Sequence, residues 1–225
     1  MKLYLLIVIQ LCLLTSAASR AQTTETEKST MQFRTLAGDT APEGIYYEFN
    51  KQDIPITVQQ DIRSLPFAYN SAKPLLFYKL IPSPDGKQVH EPVVSVDLSA
   101  AGTFPLLIFF QDQTAPKKLR IQTMKEDAMS FPGATCRFVN FSQIPLLIGF
   151  GSEQFILPSG RVVDRKPSGP TAMITLKAQT QKATIPLLSN NMVCAPRERY
   201  LIVGDPSTNG ITPVAVKQLT DRILP

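Results

Sequence analysis

The stretch Cys136–Phe150, CRFVNFSQIPLLIGF, decides the fold that the sequence predicts. Two apolar runs enclose a polar segment that begins at Asn140, and this is the pattern of a β-hairpin. Asn140 is expected in the turn, because asparagine side chains hydrogen-bond their own backbone there. Pro145 is expected at the start of the second strand, since proline lacks the N–H that a sheet interior requires.

An earlier stretch, Tyr46–Gln60, repeats this order of residues as YYEFNKQDIPITVQQ. Asn50 takes the place of Asn140 and Pro55 the place of Pro145, at the same separation in the sequence. The match predicts a second hairpin with its turn at Asn50, and it indicates an internal repeat.

Further matches follow in the same order along the chain. Segments 65–66, 106–112 and 119–126 resemble segments 157–158, 200–205 and 214–221, with a separation that drifts only slightly. We therefore predict two similar domains, at 31–127 and 128–225, each of ordinary size for a β-sandwich.

Short apolar runs broken by turn residues fill both halves, and the first predicted strand begins at Ile45. The 19 prolines leave no window for a long helix, because proline interrupts a helix interior. The predicted fold class is all-β, with two tandem Greek-key, immunoglobulin-like β-sandwiches related by the internal repeat.

The N-terminus reads as a secretory signal peptide at 1–21, with an apolar run after Lys2 and small residues before Gln22. The alternative is an uncleaved anchor, but the apolar run is short for a membrane span. Residues 22–30 read as a flexible lead-in. We expect a periplasmic or secreted protein without a stable transmembrane segment after cleavage.

Two of the three cysteines remain once the signal peptide is removed. Cys136 and Cys194 would share an oxidising compartment, so a disulfide between them is predicted. The alternative is two buried, reduced thiols that act as small apolar residues.

The single histidine, His90, removes most catalytic schemes. It lies between a turn and a strand without a nucleophile motif, so an exposed loop histidine is the plainer interpretation. One histidine and no C-x-x-C spacing exclude blue-copper and structural zinc sites, and the carboxylates show no spacing that links a pair. We predict no catalytic residue, no cofactor and no metal, and therefore no enzyme.

The formal net charge of +5 is mild and both signs are interspersed, so nucleic acid is not an expected partner. The chain has no tryptophan, which weakens a carbohydrate-binding interpretation. Four tyrosines could stack on a sugar ring or pack in the core, namely Tyr46, Tyr47, Tyr69 and Tyr78.

Two features of the opening stretch stay open. Phe138 is apolar where alternation calls for a polar residue, so either its strand is covered on both faces or Phe138 meets the other domain. Asn140-Phe-Ser142 fits the N-glycosylation sequon, which matters only in a eukaryotic host.

The second half, from FPGATCRFVN to RERYLIVGDP (residues 131–206), resembles uncharacterised exported β-sandwich proteins of Gram-negative bacteria. The resemblance implies an extracytoplasmic location and gives no activity. The N-x(3)-I-P-I/L segment and the two-domain build are also similar to fimbrial chaperones, although their arginine-bearing first strand and lysine cleft are not evident.

The predicted function is a non-enzymatic exported protein of the cell envelope that binds another envelope or secreted protein or a surface. Export, few catalytic side chains and exposed sheet edges point that way. The alternatives are a periplasmic assembly chaperone of the two-immunoglobulin-domain type and a carbohydrate-binding module.

Overall fold

The computed structural model describes residues 30–70, 74–112, 115, 118–207 and 211–223. Sixteen β-strands and no helix form within these ranges. Residues 1–29 lie outside them, so the signal peptide at 1–21 stays a prediction, as does nearly all of the lead-in. No helix long and apolar enough to cross a membrane occurs in the described part of the chain.

The first eight strands form a β-sandwich that we call domain 1. They are β1 (Thr30–Ala37), β2 (Tyr46–Phe49), β3 (Gln52–Pro55), β4 (Phe67–Asn70), β5 (Leu75–Pro82), β6 (Gln88–Val96), β7 (Pro105–Gln111) and β8 (Leu119–Lys125). The inner sheet has the strand order β4-β1-β7-β8, and the outer sheet has the order β3-β2-β5-β6.

The last eight strands form a second sandwich, domain 2. They are β9 (Thr135–Asn140), β10 (Leu146–Phe150), β11 (Glu153–Leu157), β12 (Val162–Arg165), β13 (Thr171–Gln179), β14 (Thr184–Val193), β15 (Glu198–Pro206) and β16 (Val214–Arg222). The inner sheet is β12-β9-β15-β16, and the outer sheet is β11-β10-β13-β14.

The two domains therefore share one topology, strand for strand. In each, the first strand runs parallel to the seventh, while the other paired strands are antiparallel. The predicted all-β class with two tandem sandwiches is confirmed. The eight strands and the parallel pair add detail that distinguishes each sandwich from the seven-stranded constant-type immunoglobulin arrangement.

A shared irregularity strengthens this equivalence. The strand register shifts after Phe77 in domain 1 and after Leu176 in domain 2. Immediately past the shift, the edge strand carries Pro92 in domain 1 and Pro186 in domain 2. A bulge and a proline both hinder an edge strand from pairing with another chain, so both outer sheets protect their longest edge in the same way.

The inner sheets pack face to face and join the two domains. Leu36, on β1, and Val139, on β9, occupy equivalent places in this contact. The cluster between the inner sheets draws on both domains and consists of Leu36, Leu106, Ile108, Phe110, Met124, Val139, Leu201, Val203 and Leu219. Each inner sheet is thus buried on both faces, and only the outer sheets present an open face.

Phe138 lies on β9, a strand of the inner sheet of domain 2. The Phe138 ring lies in the core of domain 2, with its centroid 5.4 Å from that of Phe150 and 5.6 Å from that of Phe155. The next residue, Val139, belongs to the cluster between the domains. The strand is therefore covered on both faces, as the apolar run CRFV allows.

A buried arginine fixes the connection between the domains. Arg199 is 5 % exposed, and its Nη1 donates hydrogen bonds to the carbonyl oxygens of Glu126 and Phe131 in the linker. Its Nε and Nη2 donate to Oδ2 of Asp221, which also accepts from Arg34 of domain 1 at 3.0 Å. One guanidinium therefore ties domain 2, the linker and, through Asp221, domain 1 together.

The predicted hairpin at Cys136–Phe150 is wrong, because β9 and β10 belong to different sheets. Tyr46–Phe49 is the second strand of domain 1, whereas Cys136 to Asn140 lie on the first strand of domain 2. The predicted match therefore aligns β2 of domain 1 with β9 of domain 2, although the counterpart of β9 in domain 1 is β1. The later matches place β7 on β15 and β8 on β16, in agreement with the sheet order.

Candidate functional site

Asn50 and Pro55 lie in the β2–β3 hairpin. Asn50 and Lys51 form its two-residue turn with φ angles of 51° and 62°, as a type I′ turn requires. Pro55 ends β3 opposite Tyr46, and does not open a strand as predicted. The turn residue is exposed, and its hairpin places β3 at the edge of the outer sheet of domain 1.

Asn140 is buried at the crossing between the two sheets of domain 2. Its Nδ2 donates to the carbonyl oxygens of Ile144 and Leu157, both at 2.9 Å, and its Oδ1 accepts from the backbone and hydroxyl of Ser142. Pro145 directly precedes β10. Asn140 is fully buried, so in the folded chain its side chain is inaccessible to glycosylation.

The predicted disulfide is wrong. Cys136 and Cys194 are both free thiols and both lie in the apolar core of domain 2. Burial raises the pKa of each thiol above its ordinary value, which keeps them protonated and unreactive. They therefore pack as small apolar side chains, the alternative that the sequence left open.

A polar cluster stands on the open face of the outer sheet of domain 1. The hydroxyl of Tyr78 donates to Oδ1 of Asp53 at 2.5 Å, and Nε2 of His90 lies 3.1 Å from the same oxygen. The His90 ring stacks on the Tyr78 ring with 4.0 Å between centroids and 16° between planes. We call Glu48, Asp53, Tyr78 and His90 the outer cluster.

Glu48 belongs to the cluster because it pairs directly with Asp53 across β2 and β3. Two like charges directly opposite each other destabilise a sheet. The pKa of Asp53 is lowered mainly by the Tyr78 hydrogen bond. Burial, followed by the bond to Asp53 and the charge of Glu48, raises the pKa of Tyr78, so this hydroxyl stays protonated at neutral pH.

Domain 2 shows that the fold does not need these four residues. Ile148 pairs with Phe155 and Leu176 as Tyr47 pairs with Ile54 and Phe77, which fixes the equivalence of the outer sheets. The places of Glu48, Asp53, Tyr78 and His90 are taken by Gly149, Gln154, Lys177 and Thr184. The outer cluster is thus specific to domain 1.

A cavity of about 350 Å³ adjoins the outer cluster. Glu48, Tyr78 and His90 contribute to its wall together with Asn50 and Leu76. Leu76 is 42 % exposed, so the face combines two carboxylates with apolar and aromatic surface. A positively charged group with an apolar stem matches both parts of this surface.

The chemistry of the cluster suits binding better than bond cleavage. His90 contacts a carboxylate and a protonated phenol, neither of which is an activated nucleophile. Asp53 is half-exposed and stays ionised. Within the described residues, no group of three or more His, Cys, Asp or Glu side chains is placed to hold a metal ion.

Sequence reasoning missed this cluster because it treated His90 as a loop residue. A signal was present, since the predicted turn after Ile81 makes β5 and β6 a hairpin and brings Tyr78 near His90. The pairing of Glu48 with Asp53 needed the exact register of β2 and β3, which the out-of-step repeat concealed.

No protein-family model matches the chain, and no curated protein is significantly similar to it.

Proposed function

We propose that the protein is a non-enzymatic module of the cell envelope, periplasmic or secreted, that binds another protein through the outer face of domain 1. The observation that carries this proposal is the outer cluster, in which Glu48 directly opposes Asp53 beside exposed Leu76. The sheet keeps a repulsive pair that its sister sheet lacks, and a ligand that neutralises the pair explains its presence.

The partner is a protein segment that presents lysine or arginine. Its positive charge would lie between the carboxylates of Glu48 and Asp53, and its aliphatic stem against Leu76 and the His90 ring. The packing of the two inner sheets against each other supports this role, because it covers them and leaves the outer faces for recognition. The predicted signal peptide supports the location.

The structure also bears on the other classes of function. A chaperone that lends a strand edge would use a long, regular edge. The edges β6 and β14 of the outer sheets each carry a bulge and a proline, whereas the edges β8 and β16 of the inner sheets are regular. A carbohydrate site would expose aromatic rings, whereas three of the four tyrosines named above, Tyr47, Tyr69 and Tyr78, are buried and Tyr46 is half-buried. The outer sheets therefore do not favour either alternative.

The test is affinity capture from the envelope fraction of the source organism with the purified, immobilised protein. Wild type should retain one protein that is lost with Glu48→Gln/Asp53→Asn. The matched control is Gln154→Ala at the place of Asp53 in domain 2, which should leave capture unchanged. Retention by the carboxylate variant of everything that wild type retains would refute the proposed site.

A second measurement tests the non-enzymatic part of the proposal. Purified protein should not turn over a panel of ester, peptide and glycoside substrates. Turnover that is abolished by His90→Gln or Asp53→Asn would overturn the proposal and make the outer cluster a catalytic site. N-terminal sequencing of the exported protein should begin near Gln22; recovery of intact residues 1–21 would contradict signal cleavage.

A further inference from the structure

A second cavity, larger than the one beside the outer cluster, lies at the open end of domain 1. Its volume is about 590 Å³, which is within the usual range for small-molecule sites. The outer sheet contributes Lys79 and Glu91, and the inner sheet contributes Leu119. The cavity is thus an opening between the two sheets, distinct from the outer face that carries the outer cluster.

Domain 2 closes the same end with apolar side chains. Lys79 pairs with Glu91 two positions past Phe77, and Ala178 pairs with Ile185 two positions past Leu176. Ala178 is fully buried, and Ile185 packs on the core of domain 2. The fold therefore accepts an apolar pair at these places, and domain 1 has a lysine and a glutamate there instead.

The charged side chains that line this cavity sum to zero net charge. Lys79 and Lys118 supply two positive charges, while Glu43 and Glu91 supply two negative ones. None of the four forms an ion pair within 4.0 Å with another described residue. A cross-strand lysine and glutamate would ordinarily satisfy each other; here both charges remain open to a ligand.

The walls behind these charges are apolar. Ile45 and Val93, with exposures of 1 % and 7 %, line the cavity beside Pro42 and Leu119. A complementary ligand therefore has an apolar body and carries one positive and one negative group.

We propose that this cavity binds a small zwitterionic molecule with an apolar body, represented by a short apolar peptide with free termini. Lys79 and Lys118 would receive its carboxylate, and Glu43 and Glu91 its ammonium group. This site is independent of the proposed protein-binding face, because it rests on other side chains and on the opposite side of β5 and β6.

The test is calorimetric titration of the full purified protein with leucyl-leucine. Wild type should bind it saturably, with a dissociation constant of roughly 1 mM or below. N-acetyl-leucyl-leucine amide, which has the same body without charges, should bind at least about tenfold more weakly. No saturable heat up to about 10 mM peptide, or equal binding of the two compounds, would overturn the proposal.

The decisive variant is Lys79→Ala/Glu91→Ile, which gives domain 1 the residues that domain 2 uses. Binding should fall at least about tenfold while the thermal midpoint stays level or rises, because the apolar pair fits this place in the sister domain. The control is Lys177→Ala on the outer face of β13. Unchanged binding in Lys79→Ala/Glu91→Ile would refute the assignment.

Two further variants keep the result interpretable. If Lys79→Ala/Glu91→Ile does not fold, the milder Lys79→Gln and Glu91→Gln variants should each weaken leucyl-leucine binding, and unchanged binding in both would refute the site. Glu48→Gln/Asp53→Asn should bind the peptide as wild type does, so failure of this cavity and failure of the protein-binding face are separate outcomes.

Discussion

Replacing Asp205 with asparagine should remove a pH dependence from the stability of the whole chain. Asp205 is 1 % exposed and lies 3.1 Å, through Oδ2, from Nζ of Lys217. That ammonium also donates to the carbonyl oxygens of Ala37 and Gly38 at 2.7 and 2.8 Å, so the pair sits where domain 2 meets the end of β1.

Burial raises the pKa of Asp205 from 3.8 to about 7. The positive charge of Lys217 lowers the pKa and offsets part of this effect, while the negative charge of Asp39 raises the pKa by a smaller amount. Between these two pKa values the folded state binds a proton that the unfolded state has released. The free energy of unfolding therefore falls as pH rises, and the contribution of Asp205 is complete below about pH 4 and lost above about pH 7.

The change in the free energy of unfolding follows from the size of the pKa shift of Asp205. A shift of about three units corresponds to roughly 4 kcal/mol over the whole range, at about 1.4 kcal/mol per unit. Between pH 5 and pH 8 wild type should therefore lose about 3 kcal/mol that Asp205→Asn retains.

The assay is urea denaturation of both proteins at pH 5 and pH 8, followed by tyrosine fluorescence. Asp97→Asn is the matched control, because Asp97 is an exposed carboxylate whose pKa is lowered by hydrogen bonds from Ser99, so it should follow wild type. Parallel stability curves for wild type and Asp205→Asn between pH 5 and pH 8 would contradict a raised pKa at Asp205.

Three other predictions concern packing and the thiols. Arg199→Met should lower the free energy of unfolding by about 3–5 kcal/mol in urea denaturation, because it leaves buried linker carbonyls without a hydrogen-bond donor. A loss below about 1 kcal/mol would contradict the role of Arg199 in joining the domains. Phe138→Ala should cost about 3–5 kcal/mol in the same assay, through the cavity it opens in the core of domain 2, and a value typical of a surface site would contradict its burial. Ellman's reagent should detect Cys136 and Cys194 in denatured exported protein and neither in the native state; an absence of thiols in denaturant would contradict the free-thiol assignment.

The C-terminal half of each repeat was predictable because β7 and β15 are continuous apolar runs. Residues 106–110 are buried throughout, since each inner sheet has a sandwich core on one face and the other domain on the opposite face. A strand covered on both faces needs no alternation, so its apolar letters alone identify it and align the two halves.

The first strand was not predictable in the same way. Thr30–Ala37 is a mixture of polar and apolar residues, and its main partner, β7, is a distant strand that runs parallel to it. Prediction therefore began at Ile45 and took β2 for the first strand. That omission alone shifted the early match by one strand and made Asn50 the counterpart of Asn140.

The outer cluster and the end cavity depend on register between strands. A two-residue turn places Glu48 opposite Asp53. The bulge after Phe77 sets the register that places Lys79 opposite Glu91. The residue pattern of a single strand does not reveal which residues of the neighbouring strand lie opposite it. Once the register is known, the internal repeat supplies a control, because domain 2 shows which residues the fold itself requires.

Site-specific photocrosslinking tests directly whether domain 1 recognises a partner while domain 2 supports it. A photoreactive residue is placed at Leu76 on the outer sheet of domain 1, or at Thr175, its equivalent in domain 2. In living cells we expect one defined protein adduct from position 76, lost with Glu48→Gln/Asp53→Asn, and none from position 175. Equal adducts from both positions, or an adduct from position 175 alone, would contradict it.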